Sequence, residues 1–380
     1  MAQDPNDNRQ AFRFFDNREK YLLFVTTCSE KWAVSERVGR ELLQLTPKPP
    51  ALRLFDAGMG DATVLTRVMR DMHCRFPTVP FFVVCKEISM EDVRLSLEKM
   101  ADRFFEHPQT VLVVTNMYYS EAPWLRPNKP EAADALEWWP IPLQGNTAHE
   151  FDAQIKALQP YLSAGWQTRT SEKTGNPLYQ KPAVMVLYRS DQRFVLDRIL
   201  PEPGGIEANY DLVIASQPYR ARLPAEIKVR NVLAPLSRAL GPGGRMVVVQ
   251  STGRDPGMEI INRIWPDERP FRTPARSLIT ALRDKLKDEI PDLDYGGDHD
   301  EHALFKYHLH ALPNEIGSSI GTSTLLAAWN AAIYVAQIDD GQLAEALADG
   351  RYLDVTQEVL LEHDGLWFLD ESFVVSRPAA

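Results

Sequence analysis

The chain has 380 residues, enough to bury a large core and to hold two or three domains or one domain with insertions. Its apolar and charged fractions, 44% and 25%, are those of a folded globular protein and exclude general disorder. A net charge of −10 with no block of lysines or arginines repels phosphates, which argues against nucleic-acid and anionic-membrane partners. No apolar run approaches a membrane span, and the polar start MAQDPNDNRQ has no signal-peptide core, so a cytoplasmic location without membrane contact is expected. Cys28, Cys74 and Cys85 have neither metal-ligand nor disulfide-framework spacing.

In chain order, residues 1–10 read as a loose tail. Residues 21–45 carry apolar residues at helical spacing (Leu22, Leu23, Val34, Val38, Leu42, Leu43), interrupted near 26–29, and predict two helices before the break at Pro47, Pro49 and Pro50. The stretch 52–65, LRLFDAGMGDATVL, predicts a buried strand ending at Asp56, a turn through Gly58 and Gly60, and a helix over about 62–75. Glycines belong where a backbone turns sharply beside a ligand, and the helix start offers free N–H groups. The spacing lacks the third glycine of the dinucleotide motif and the Gly-Lys-Ser/Thr of a P-loop. Two glycines between strand and helix are also ordinary α/β punctuation.

Residues 79–86 form an apolar run suited to a doubly buried parallel strand, ending at Glu87. A helix over 90–105 and a third strand over 110–115, ending at Asn116, complete a β-α-β-α-β order. The rhythm then breaks: residues 117–206 hold three prolines near Trp124, the Trp138-Trp139 pair, a helix over about 149–163, and strand-like runs over 183–188 and 194–200. These read as an inserted subdomain. Alternation resumes with a strand over 210–216, a helix over 225–240, a glycine turn at 241–244 and a strand over 245–250. Helices follow over 256–264 and 274–288, then a strand over 304–310, helices over 322–335 and 342–348, and a last strand over 366–375.

In a doubly wound sheet, ligands sit beyond the carboxyl ends of the strands. The polar residues at those ends are Asp56, Glu87, Asn116 and Ser216-Gln217. Glu87 lies 27 residues after Gly60, where a carboxylate can accept both hydrogens of a ribose diol; a solvated helix-start carboxylate is the plain alternative. Together, FDAGMG at 55–60, Glu87, residues 211–216 and the 240–244 turn resemble the class I S-adenosylmethionine-dependent methyltransferases. Within them the chain most resembles histamine N-methyltransferase and related small-molecule amine methyltransferases, through FVTTCSEKW at 24–32, DLVIASQ at 211–217 and the final strand. Two positions depart from that pattern: Met59 stands where the family has a small residue, and an expected asparagine falls on Leu369, beside Asp370.

The resemblance implies a Rossmann-like, mostly parallel seven-stranded sheet with an N-terminal helical segment (1–50) as acceptor-site cover. The cofactor domain would be 51–116 with 207–380, and the insertion 117–206 a substrate lid. It implies S-adenosylmethionine as methyl donor, held by Asp56, Gly58, Gly60, Glu87, Asn116, Ser120 and Ser216. A small-molecule amine or imidazole acceptor would meet Glu30 and Gln217, with Tyr118, Tyr119, Trp124 and Tyr219 as pocket wall. Three rivals stay open: a protein N-methyltransferase, from the partial likeness of SQPY at 216–219 to the Asp/Asn/Ser-Pro-Pro-aromatic motif; a nicotinamide-dependent oxidoreductase; and a non-catalytic cofactor-binding scaffold. The run DHDEH at 298–302 with His308 and His310 matches no zinc motif and reads as a polar loop, so no metal is expected.

Overall fold

The computed structural model describes residues 18–172, 175–296, 301–311 and 320–379. The expected tail at 1–10 and Asp298–Asp300 of the acid–histidine run lie outside them.

Eleven strands are described: β1 Leu52–Asp56, β2 Phe81–Lys86, β3 Thr110–Thr115, β4 Glu137–Leu143, β5 Thr168–Thr170, β6 Pro177–Tyr179, β7 Ala183–Arg189, β8 Tyr210–Ser216, β9 Leu240–Ser251, β10 Leu304–His308 and β11 Trp367–Ser376. Seven of them stand in the order β3-β2-β1-β8-β9-β11-β10. β1 pairs in parallel with β2 (Leu54 opposite Val83) and with β8 (Leu54 opposite Leu212), while β11 runs antiparallel to both β9 and β10. The chain winds outward from β1 to β3, returns to β8 beside β1, and winds outward again. This is the doubly wound, Rossmann-like arrangement, with its reversal between β1 and β8.

The sheet is wider than the seven strands expected. It has nine, because β7 adds antiparallel to β3 and β4 pairs in parallel with β7 at the far edge. Without β7, β3 would leave a row of open N–H and C=O groups at an edge. β4 was hidden in the sequence by Pro140 and Pro142, which lack donors and are tolerated only because this strand is outermost. The strand-like run at 194–200 instead starts in a short helix (Arg193–Leu196), which follows a 3-10 turn over Ser190–Gln192. Its buried residues, Leu196 and Ile199, are three apart, and Phe194 is exposed.

Several expected helices are broken. Residues 90–105 split into helices Met90–Glu98 and Ala101–Glu106, and 149–163 into Ala148–Lys156 and Gln159–Gly165. Residues 225–238 run as a helix, a π-turn over Val229–Leu233, and a helix again. Pro235 has no N–H to give and its ring crowds the carbonyl four residues back, which suits a widened turn there. Helix Arg351–Glu362 was not read from the sequence; it buries Val355, Val359 and Leu360 on one stripe.

Both faces of the sheet are covered. Leu54, Val83 and Leu112 pack with α2 (Glu30–Leu42) and α3 (Thr63–Arg75), while Phe55, Phe82 and Val213 pack with helix Ala275–Leu286. A third cluster joins α1 (Arg18–Thr27) to helices Thr322–Val335 and Arg351–Glu362. The break between α1 and α2 has a definite cause: the Ser29 N–H donates to the His308 carbonyl and the His308 N–H to Ser29 Oγ, extending the sheet edge. This pins Glu30 at the start of α2. No helix among the described residues is long and apolar enough to cross a membrane.

Candidate functional site

The glycine turn after β1 is held on all sides by main-chain bonds. The Ala57 N–H donates to Ile214 O of β8 and the Met59 N–H to Lys86 O of β2, so the loop spans the reversal point. Asp56 is buried and accepts the Gly58 N–H at 3.1 Å. Gly60 has φ +52, a conformation that favours glycine, and a Cβ there would lie 2.7 Å from the Tyr21 hydroxyl. At Gly58 a Cβ would meet nothing within 4 Å, so open space begins there. Met59, the departure from the family pattern, is buried in the core beneath the loop and does not face that space.

Glu87 closes the loop from β2. Its Oε2 accepts the Gly60 N–H at 3.0 Å, and its Oε1 accepts the N–H groups of Ile88 (2.7 Å) and Ser89 (2.9 Å). Trp166 of the insertion donates its indole N–H to the Glu87 carbonyl at 2.8 Å. The two acids thus lie on either side of one glycine bend, and the charge of Glu87 adds to burial in raising Asp56.

The N-terminal helices bring further groups. The Tyr21 hydroxyl donates to Asp61 Oδ1 and accepts the Asp61 N–H, and Lys99 pairs with Asp61 at 2.5 Å. Lys31 pairs with Glu30 at 2.9 Å, and the charges of Glu30, Asp61 and Asp56 raise its ammonium despite burial. Glu30, Asp56, Asp61, Glu87 and Asp370 are all buried, with Asp92 close by. Acids outnumber bases here, so the cluster as a whole favours a cation. Lys31, Tyr21, Asp61 and Asp370 were not singled out as site residues from sequence; Tyr21 arrives on α1, Lys31 on α2 and Asp370 on β11, against Asp61 at the end of the loop.

Glu30 and Gln217 are connected through Asp370. Gln217, at φ +48, donates from Nε2 to Ser251 Oγ (2.9 Å) and to Asp370 Oδ2 (3.5 Å). Asp370 is fully buried and its Oδ1 has no hydrogen-bond partner among the described residues. Burial, then the charge of Glu30, pushes its carboxyl well above the usual range. A left-handed non-glycine residue beside an unsatisfied buried carboxyl is the kind of strain that collects at ligand sites.

The other expected residues divide. Tyr119 donates its hydroxyl to Pro218 O at 2.8 Å, lies under the Lys86 ammonium, and is close enough to Glu87 and Asp56 to feel both charges. Ser216 ends β8 beside the loop. Tyr219 donates to Gln250 Oε1 at 3.1 Å, one residue further from the strand end than Pro218. Asn116 is committed to the fold: its amide donates to Gly165 O and Lys181 O and accepts the Ala183 N–H, tying the insertion to β3. Ser120 is exposed and accepts from Asn128. Tyr118 packs on Tyr179 at 4.6 Å, and Trp124 accepts the Ile206 N–H at its carbonyl, both within the insertion's own packing. Among the described residues, the acid–histidine group with metal-like spacing is Glu259, Glu362 and His363, but Arg263 pairs with both carboxylates and supplies the cation itself.

The buried acids predict a pH dependence. Burial pushes Asp56 up to about 7 against the Gly58 hydrogen bond, and burial together with Glu87 pushes Asp92 up to about 7. Unfolded, both lose their protons near pH 3.9. Their contribution to stability is therefore fully present below about pH 4 and lost as pH rises through about 7. At about 1.4 kcal/mol per unit the loss is bounded at ~4 kcal/mol for each group, less after relaxation and water entry. Thermal midpoints measured from pH 4 to pH 8 should show Asp56→Asn gaining on the unsubstituted protein as pH rises; parallel curves would remove Asp56 as the cause.

No protein-family model matches the chain, and no curated protein matches it. Among solved structures it is similar to a geranyl diphosphate methyltransferase in complex with geranyl diphosphate and sinefungin, at 12% identity over 90% of this chain and 77% of that one, TM-score 0.35. It is also similar to the cyclase SpnF, at 12% identity over 90% and 82%, TM-score 0.34. A third is phosphoethanolamine N-methyltransferase 2 of Haemonchus contortus in complex with S-adenosyl-L-methionine, at 10% identity over 96% and 60%, TM-score 0.33.

Proposed function

We propose that the chain is an S-adenosylmethionine-dependent methyltransferase acting on a small-molecule acceptor at an amine or imidazole nitrogen. The observation that carries this is the Gly60 N–H to Glu87 Oε2 bond, which sets a bent glycine loop between two buried acids at the reversal point of the sheet. The residues fit the donor. Three N–H groups fill three of the roughly four acceptor positions of the Glu87 carboxylate and leave one for a ribose hydroxyl. The open side of Gly58 admits a ligand against the backbone. Lys31 suits the carboxylate of an amino-acid tail, and Asp56 and Asp61 suit its ammonium. When bound, the donor supplies a methyl group on a sulfonium cation, which the acidic surroundings favour.

The chain's own contribution is to position the acceptor and move a proton. Glu30 and Asp370 hold a cationic amine, and one of them takes its proton so that the nitrogen lone pair is free. Gln217, with both a donor and an acceptor, orients it. Alignment of nucleophile and methyl carbon is worth up to about 7–11 kcal/mol in favourable systems. In this reading residues 1–50 cover the acceptor and 117–206 form its lid, with Tyr119 reaching the loop.

One observation favours a second reading, a non-catalytic cofactor-binding protein: Lys31 already neutralises part of the acid cluster and the Tyr21 hydroxyl already rests on Gly60. A thermal-shift assay separates these and the nicotinamide alternative. S-adenosylhomocysteine should stabilise the protein and NAD should not; the reverse outcome ends the proposal. Binding of the donor with no methyl consumption across an amine and imidazole panel would select the non-catalytic reading.

A further inference from the structure

Gln217 has a second neighbourhood besides Asp370. It shares a small cavity with Tyr219, Lys228, Gln250, Ser251 and Thr273. Lys228 is 2% exposed, which is unusual for a residue that carries a full charge. Its ammonium donates to Thr273 Oγ1 and lies 4.7 Å from the centre of the Tyr219 ring. No carboxylate among the described residues is within ion-pair distance of it. The acid it feels, Glu371, accepts the Gln250 amide at 2.7 Å and the Ala275 N–H at 2.8 Å, both on Oε1, and acts on the ammonium through its charge without pairing with it. Burial, only partly offset by Glu371, lowers the ammonium to about 8.

A buried cation with no directly paired anion is costly, and proteins keep one where something else completes the counter-charge. Two local features support a ligand here. The π-turn over Val229–Leu233 begins at the residue after Lys228, and such turns recur at functional sites. Gln217, which lines this cavity and also donates to Asp370, is held at φ +48. The space itself is about 10 Å³, room for one water-sized atom. One oxygen of an oxyanion fits it; a whole side chain does not.

We propose that Lys228 forms an oxyanion subsite beside the acceptor site, the two sharing Gln217 and Ser251, so that the acceptor is a zwitterion with its amine at Glu30 and Asp370 and one carboxylate or phosphate oxygen beside Lys228. This rests on the methyltransferase reading. It makes Lys228 the residue that separates amino acids and aminophosphates from plain amines.

The test is equilibrium binding to the protein saturated with S-adenosylhomocysteine, using matched probes: histidine against histamine, phenylalanine against phenethylamine, and phosphoethanolamine against ethanolamine. The anion-bearing member of at least one pair should bind tenfold or more tighter, and the pair that responds tells carboxylate from phosphate. Lys228→Met should bring that ratio to about one, with its melting transition and S-adenosylhomocysteine shift reporting that it is folded. Should the variant fail to fold, the same preference in the unsubstituted protein must fall between pH 7 and pH 9 as the ammonium loses its proton. No preference in any pair, or a preference kept in Lys228→Met, overturns the subsite. Failure of S-adenosylhomocysteine itself to bind is a different result and overturns the methyltransferase reading.

Discussion

Glu87→Ala is expected to weaken S-adenosylhomocysteine binding by about 10- to 100-fold and to lower the melting temperature by several degrees. The carboxylate accepts three N–H groups, of Gly60, Ile88 and Ser89, and no other described side chain replaces it. Hydrogen bonds to a charged group contribute about 1.5–3 kcal/mol each, and a donor left buried and unpaired carries its desolvation penalty. The Gly60 bond matters most for function, because it joins the loop after β1 to the end of β2. With it gone, the loop keeps its main-chain bonds to β8 and Lys86, the Gly58 bond to Asp56 and the Ser96 hydroxyl on the Gly60 carbonyl, but the proposed ribose acceptor is lost. Calorimetric titration measures the first effect and thermal denaturation the second. An unchanged affinity in a folded Glu87→Ala protein would remove Glu87 from the donor site and with it the observation that carries the proposed function.

Asp370→Asn is expected to make the protein more heat-stable at pH 7 while raising KM for an amine acceptor by ~30-fold or more, since losing one partner of a buried charge pair costs about 2–5 kcal/mol. The opposite signs have one cause. Asp370 is fully buried beside Glu30 and Asp255, and its carboxyl is pushed well above the usual range. A carboxyl raised in this way holds its proton more tightly in the folded protein than in the unfolded chain, so above the unfolded value it opposes folding. Asparagine has the same shape, keeps an oxygen for the Gln217 amide, and has no proton to hold. The stability gain should therefore shrink toward pH 4, where the unfolded carboxyl also protonates. A bound ammonium, in contrast, needs the negative charge. Stability lost for a functional group is a common trade at active sites. A variant that melts lower, or that methylates amines with an unchanged KM, would show Asp370 to be a structural residue.

Much of this was legible in the linear chain because it is local. Residues 52–65 encode a strand, a bend and a helix within one turn of chain, and the structure has β1, a Gly60 at φ +52 and α3 there. The apolar runs at 79–86 and 110–115 are strands buried on both faces, which needs no partner information to read. Glu87 was expected at a strand end for the same reason, and it directly follows β2. Where expectations failed, a neighbour decided. β4 is a strand despite two prolines because it is outermost, and 194–196 is helical because only Leu196 and Ile199 need to face the core. Asn116 stands at a strand end as a ligand residue would, yet the returning insertion takes its amide for three main-chain bonds.

What the sequence by itself determined is the doubly wound order and the two acids flanking the glycine bend, since both follow from periodicity and from where apolar runs stop. What only the tertiary structure decided is the company those acids keep. Tyr21 and Lys31 come from helices before β1, Asp370 from a strand more than 300 positions later, and Lys228 from the end of a short helix between β8 and β9. No local pattern marks such residues, because a buried charge is recognisable only from what surrounds it, and its surroundings are set by how distant segments pack.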